Sequence, residues 1–386
     1  MRGSGVRQGI RRGASIGLAL VCSGVVAAGA GAVHASSTAA RPGVAPGSVL
    51  RTALVGTAPL AVTVDEQTSR AFVLTADGVD IVDTASGKTL DTAVGGVGGD
   101  PYGAGPASIR VDQTTGRVFA ARFGGGSVSV LDAGNGRLLS AVRVGNGPGA
   151  VAVDERTKRV FVANFDGDSV SVLDAGNGKL LNTTTVGQSP DAVTVDTRTG
   201  YVFVANYGSN TVSVLDATTG SFVRTVAVGL RPIDVAVDER TGHAFVVNWD
   251  DSSVSVLDTT TAKVLRTVPV GVSPVAVRVY GAGAKAYIVN YNGNTVSALD
   301  TKALKVTNTF NVGNLPSAVT IDGRSGYAFV TNSDSNTVSV LDTKKGVVAR
   351  TVAVGQAPNA VAAAERSGHA FVTNGQGNNV SVLAAG

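Results

Sequence analysis

Apolar residues fall along this chain in short runs of about five to seven, each cut off by a cluster of Gly, Pro, Asp or Asn. The stretch 196–237, DTRTGYVFVANYGSNTVSVLDATTGSFVRTVAVGLRPIDVAV, holds four of them, at 201–205, 211–215, 222–228 and 233–237. All are rich in Val, Thr, Phe and Tyr, which predicts strands. In Thr211-Val212-Ser213-Val214 the two valines share one face, as period-two alternation requires. The run 202–205 is apolar on both faces and predicts a strand held between two layers.

The pattern recurs every 42 residues, from Asp112, Asp154, Asp196 and Asp238, and stays in register at Tyr280, Asp322 and Ala364. An asparagine recurs with it at Asn164, Asn206, Asn248, Asn290, Asn332 and Asn374. A fixed period of this length marks a stacked or circular repeat. A helical repeat would need apolar residues at i, i+3 and i+4, and these runs are too short, too β-branched and too often broken by Gly or Pro. Asp196–Gly200 and Asp216–Gly220 both read Asp-x-x-Thr-Gly. There the carboxylate accepts a backbone N–H two residues on, and glycine supplies the positive φ. Asn206 is expected to serve its turn in the same way.

Four strands per period with short turns make a propeller blade. A Pro-x-x-Val-like segment opens each unit, at Pro59, Pro106, Pro148, Pro190, Pro232, Pro274, Pro316 and Pro358, which gives eight blades. Seven is the alternative, because the first unit is degenerate: Thr75 replaces the asparagine and Ile81 breaks Val-Ser-Val. The ends are complementary. SVLRTALVG (48–56) matches the fourth-strand run FVRTVAVG but has no blade before it, and the last unit stops after its third strand at 380–383. The expectation is an all-β, closed propeller over 48–386 in which the N-terminal strand completes the last blade and leaves no open end.

Residues 1–35 predict an export signal. Arg2, Arg7, Arg11 and Arg12 precede an apolar, Gly/Ala-rich stretch from 16 to 33, and Val33-His34-Ala35 offers a cleavage site. Residues 36–47 read as an Ala/Pro/Gly linker. Charge and thiols look different once the signal is set apart. Of 32 Lys+Arg the signal holds four and none of the 28 Asp+Glu, so 28 of each sign remain. A bulk pull towards nucleic acid is not expected. The one cysteine, Cys22, leaves with the signal, so the core must hold the protein without a disulfide. No transmembrane segment is expected after the signal, and the protein is expected to be a secreted or envelope-located monomer.

The strings FVANYGSNTVSVLD (203–216), FVTNSDSNTVSVLD (329–342), FVANFDGDSVSVLD (161–174) and TVAVGLRP (225–232) resemble the YVTN-repeat propeller family. That family includes YncE-like periplasmic proteins and archaeal surface-layer proteins, and the resemblance covers about 50–386. It implies an exported, non-catalytic binding or cell-surface propeller. It also implies single-stranded DNA binding as an alternative, which the balanced charge opposes. Members usually carry seven blades, so eight is a departure.

Residues shared by every blade are scaffold, and function is sought where blades differ. One such place is the position after the asparagine. It is aromatic in five consecutive blades, as Phe123, Phe165, Tyr207, Trp249 and Tyr291. Two readings stand: an arc of rings that binds a protein or glycan, or rings packed against their own loops. Trp249, with Arg231 on the adjacent connection, is the expected contact centre. An insertion at 95–105 (GGVGGDPYGAG) offers Tyr102 as a reaching side chain, or is a tolerated loop. Arg110 and Arg278 occupy the inner strands of blades 2 and 6, as an anion clamp across the channel or as two solvated charges. No catalytic set, metal ligand cluster or cofactor motif is recognised. His243 and His369 occupy a permissive slot that elsewhere holds Arg117, Tyr201 or Lys285, and are read as surface. The expected role is a non-enzymatic binding module. A lactonase-like hydrolase or lyase and a structural surface-layer element are the alternatives.

Overall fold

The structure, a computed structural model, describes residues 44–93 and 107–386. The expected export signal, most of the linker, the 95–105 loop and Tyr102 lie outside the described residues.

The described residues form 32 strands, β1 to β32 in chain order, and no α-helix. They make eight four-stranded antiparallel sheets. Blades 1 to 7 span 61–93, 107–143, 148–185, 190–227, 232–269, 274–311 and 316–353, each a simple meander. Blade 8 takes three strands from 358–384 and its fourth from the N-terminus, β1 (Val49–Leu54). β1 pairs with β32 (Asn379–Ala384) in the register Thr52↔Ser381 and Ala53↔Val380. The innermost strand of blade 1, β2 (Ala61–Asp65), lies against both β6 (Ala107–Asp112) and β30 (Pro358–Ala364), so the ring closes with eight blades.

The second strand of each blade is the core, as its two apolar faces require. One aromatic per blade sits at the same level: Phe72, Phe119, Phe161, Phe203, Phe245, Tyr287, Phe329 and Phe371, none more than 1% exposed. Burying each such side chain is worth about 1.5–3 kcal/mol relative to leaving it in water. Across the strand pair these rings face Thr63, Arg110, Ala152, Thr194, Ala236, Arg278, Thr320 and Ala362. The outer strands carry alternate apolar residues into solvent, such as Leu54 at 78% exposed.

The turn chemistry holds at Asp196, whose Oδ1 accepts from Arg198 N at 2.9 Å and Thr199 N at 3.2 Å. Gly200 follows with φ +72°. The asparagine works differently from the expectation. Asn206 is fully buried and donates rather than accepts. Its Nδ2 gives hydrogen bonds at 3.0 Å to Thr211 Oγ1 and Ser213 Oγ on the next strand. The same two-pronged bond recurs at Asn164, Asn248, Asn290, Asn332 and Asn374. A buried strand end has polar neighbours to satisfy, and the amide reaches two hydroxyls where a turn acceptor would reach none.

On the face that carries the turns between the first and second strands of each blade, glutamates stitch one blade to the one before it. Glu155 accepts from Gln113 N, Glu239 from Thr197 N, Glu365 from Gly323 N, and Glu66 from Glu365 N across the closing seam. Burial raises the Glu66 carboxyl above its ordinary value, while the N–H groups of Arg366 and Glu365 pull it down.

Two outcomes are expected. Deleting residues 1–54 removes β1 and leaves β32 as an open edge. Light scattering should then show self-association, and calorimetry a lower or broadened transition; an unchanged monomer of unchanged midpoint would contradict the closing role. Asn206→Ala removes two buried hydrogen bonds and should cost about 1–3 kcal/mol in chemical denaturation.

Candidate functional site

The face opposite the glutamate seams is built from two loops per blade, the connection into the blade and the turn between its second and third strands. In blade 5 the connection is Gly229-Leu230-Arg231 and the turn is Trp249-Asp250-Asp251-Ser252. A Cβ on Gly229 would lie 2.6 Å from Asn248 and from Asp251, so only glycine lets the connection pass over the buried amide. Arg231 has φ +51°. Its carbonyl accepts from Trp249 N at 3.0 Å, its N–H donates to Asn210 Oδ1 of blade 4 at 2.9 Å, and Leu230 N donates to Asp251 Oδ2 at 2.6 Å. The loop that shows a variable side chain is therefore held by main-chain bonds that do not depend on that side chain.

The five aromatic residues come together as a row along this face. Phe123 meets Phe165 edge-on at 5.9 Å between ring centroids, Phe165 meets Tyr207 at 6.2 Å, and Trp249 meets Tyr291 at 6.0 Å. After Tyr207 the row continues through the Arg231 guanidinium of blade 5, which reaches Tyr207 and the Asp250 carboxylate beside Trp249. It lies 5.4 Å from the Tyr207 centroid and 3.2 Å from Asp250 Oδ2. All five rings are half-buried. Burial raises the Tyr291 phenol above its ordinary value and Asp334 adds to this, while a hydrogen bond with Ser333 of blade 7 opposes it. Both readings of the arc thus have substance: the rings pack on one another, and each keeps part of its surface in solvent.

The connections add a signal that the strand pattern hides. The residue after the glycine is polar in five of the seven described full-length connections, as Thr57, Asn146, Gln188, Asn314 and Gln356. In blades 5 and 6 it is Leu230, 48% exposed, and Val272, 56% exposed. These two flank Trp249 and Tyr291. Sequence reasoning missed them because a single Leu or Val among β-strands carries no message until its loop is known to face outwards.

Other candidates separate from this patch. Arg110 and Arg278 sit across from Phe119 and Tyr287, partly exposed, in blades on opposite sides of the ring. Arg110 Nη1 donates to Ile109 O at 2.8 Å. Equivalent positions Ala152, Thr194 and Ala236 are buried, so this level is packed rather than open at those blades. The histidines are fasteners and not a free surface slot. His243 Nδ1 lies 2.8 Å from Thr301 O in the next blade, and His369 Nδ1 lies 2.6 Å from Thr84 O across the closing seam. Asp168 Oδ1 accepts Ser189 N at 2.7 Å and so joins blade 3 to the connection that follows. Among the described residues no group of three or more His, Cys, Asp or Glu is placed to hold a metal.

Two features escaped the sequence. Arg122, in the asparagine position of blade 2, is buried and donates through Nη1 to the carbonyls of Thr75 and Ala76 in blade 1. At the mouth of the ring, Asp191 of blade 4 and Asp234 of blade 5 place two carboxyls on one seam. Burial, and then the charge of Asp234, push the Asp191 carboxyl up to about 7. The legible clue was Asp234, which stands where other blades have Ala150, Ala192, Ala276 or Ala318.

Blade count, closure and face assignment define a closed eight-bladed β-propeller with its variable chemistry on the connection face. Residues 197–382 match the family model described as YNCE-like beta-propeller, so the resemblance to YncE-like propellers holds for those blades. Residues 142–228 match a second model, Lactonase, 7-bladed beta-propeller. Among solved structures, the Kuenenia stuttgartiensis hydrazine synthase is similar with a TM-score of 0.59 and 21% identity, covering 72% of this chain and 94% of that one. At that identity the likeness is one of fold. Comparison with curated proteins gave no match.

Arg231→Ala tests how far the patch is independent of the scaffold. Its ion pair with Asp250 is exposed and its ring contact is single, so the substitution should cost less than about 1 kcal/mol in chemical denaturation. A loss of several kcal/mol would place Arg231 in the framework instead.

Proposed function

We propose that this chain is an exported, non-enzymatic propeller that acts as a binding module at the cell surface or outside it. Its contact centre is the connection face of blades 4 to 6. The observation that carries this reading is the pairing of solvent-facing Leu230 and Val272 with the half-buried row Tyr207, Arg231, Trp249 and Tyr291. Exposed aliphatic residues beside aromatic and arginine side chains are the composition of interface centres. A protein ligand fits such a surface directly. A glycan fits through the free edges of the rings. The even charge outside the export signal, 28 basic against 28 acidic residues, argues against nucleic acid.

A second reading has one observation in its favour. The match of 142–228 to the lactonase model includes Asp191, and Asp234, the second carboxyl of the pair at the mouth of the ring, lies just beyond it. On this reading the chain hydrolyses a cyclic ester, with the protonated carboxyl as general acid. Turnover of a lactone panel, abolished by Asp234→Asn, would establish it.

The binding reading is tested with the full chain on arrays of glycans, envelope proteins and single-stranded DNA. The double variant Tyr207→Ala/Trp249→Ala should lower affinity for the ligand found by tenfold or more, which is about 1.4 kcal/mol. Unchanged affinity would remove the row from consideration.

A further inference from the structure

We infer that Asn146 is a modification site: its side-chain amide is lost spontaneously, through attack by the main-chain nitrogen of Gly147, and an aspartyl or isoaspartyl residue takes its place on the connection face.

The sequence holds five Asn-Gly pairs, beginning at Asn135, Asn146, Asn177, Asn292 and Asn374. Glycine puts no side chain over its own nitrogen, so in an unfolded chain all five are open to the same cyclisation. The fold closes four of them. Gly136 N donates to Asp132 O at 2.7 Å, Gly178 N to Asp174 O at 2.8 Å, Gly293 N to Val272 O at 3.1 Å and Gly375 N to Ala357 O at 2.9 Å. The four amide side chains are held as well. Asn135 Oδ1 accepts Arg137 N and Asn177 Oδ1 accepts Lys179 N, both at 2.9 Å. Asn292 Nδ2 donates to Ser273 Oγ at 2.9 Å, and Asn374 is buried in its two-pronged bond. To react, each must first break a main-chain and a side-chain bond.

Asn146 escapes because of the blade before it. At the position of Gly147, the connection into a blade gives its N–H to the turn of the preceding blade. Asp168, Asn210, Ser252, Asn294, Asn336 and Asn378 accept there through side-chain oxygens, at 2.7 to 3.3 Å. For Gly147 the residue in that place is Gly126, which has no side chain to offer. Among the described residues Gly147 N has no acceptor, and the exposed Asn146 amide has no hydrogen-bond partner. The rest of the connection is bonded like the others: Phe165 N donates to Gly147 O at 2.8 Å, and Val144 N to Gly126 O at 3.0 Å.

In the step itself the Gly147 nitrogen forms a bond to Asn146 Cγ and gives up its proton, and the bond from Cγ to Nδ2 breaks. Nδ2 leaves as ammonia with that proton. Water then opens the cyclic imide at either carbonyl, which yields aspartate or isoaspartate and needs no oxidant. The new carboxylate arises at the Phe123–Phe165 end of the aromatic row. A Cβ on Gly147 would lie 3.1 Å from Phe123 Cε2 and from Asp166 Oδ2. The connection face thus gains a negative charge there.

The test incubates the full chain at mildly alkaline pH and follows the five pairs by peptide mapping with mass spectrometry, with the chain unfolded in urea as the reference for each pair. Relative to that reference, Asn146 should lose its amide about tenfold faster or more than any of the other four, the factor that two hydrogen bonds of ordinary net strength withhold. Equal rates in the folded chain, or faster loss at another pair, overturn the inference. Gly126→Asn supplies the missing acceptor. Gly126 has φ +55°, close to Asn210 at +57° and Asn294 at +52°, and a Cβ there meets nothing within 4 Å. This substitution should slow the loss at Asn146 to the range of the other four pairs, and an unchanged rate overturns the inference equally.

Discussion

A four-stranded blade has two apolar faces and cannot bury either alone. Every blade here depends on a neighbour at each side, so the arrangement is stable only when the last blade meets the first. Eight aromatic residues at one level, each buried to 1% exposure or less, are the product of that mutual covering. The pairing of β1 with β32 joins residues more than 300 apart in the chain and converts a row of blades into a ring. The closing seam carries bonds that match this burden: His369 to Thr84, Asn359 to Pro59, and Arg366 and Glu365 to Glu66.

The two faces of the ring divide the labour. On the face that carries the turns between first and second strands, aspartates and glutamates spend their side chains on backbone N–H groups of their own turn or the preceding blade. That chemistry cannot vary without loosening a seam. On the connection face the loops are held by main-chain bonds, by a glycine that clears the buried asparagine, and by one polar acceptor from the blade before. Side chains after the glycine and after the asparagine are therefore released from structural duty. This freedom is the physical reason that aromatic, aliphatic and charged residues can vary there from blade to blade.

The carboxyl pair at the blade 4–5 seam sits below the same patch. Most seams of the ring are joined by neutral donors or by carboxylates that accept from backbone N–H groups. The inner strand of blade 5 is tied through Asp234 to Val277 of blade 6. Arg231 and Trp249 project from the two loops of blade 5.

Strand content, blade count, closure by the N-terminal strand and the common face of the two loop types were all legible in the sequence. Each follows from a local rule repeated many times: period-two alternation, Asp-x-x-Thr-Gly turns and a fixed spacing. Repetition averages out the errors of any one unit, including the degenerate first blade. What could not be read were contacts between residues of different blades. The seam roles of His243 and His369 and the arginine link between Tyr207 and Asp250 depend on side chains brought together only when the blades meet. The sequence by itself determined the blade, because the blade is local. The tertiary structure alone decided which side chains share a seam and which remain in solvent, because those relations belong to the circle and to no single unit.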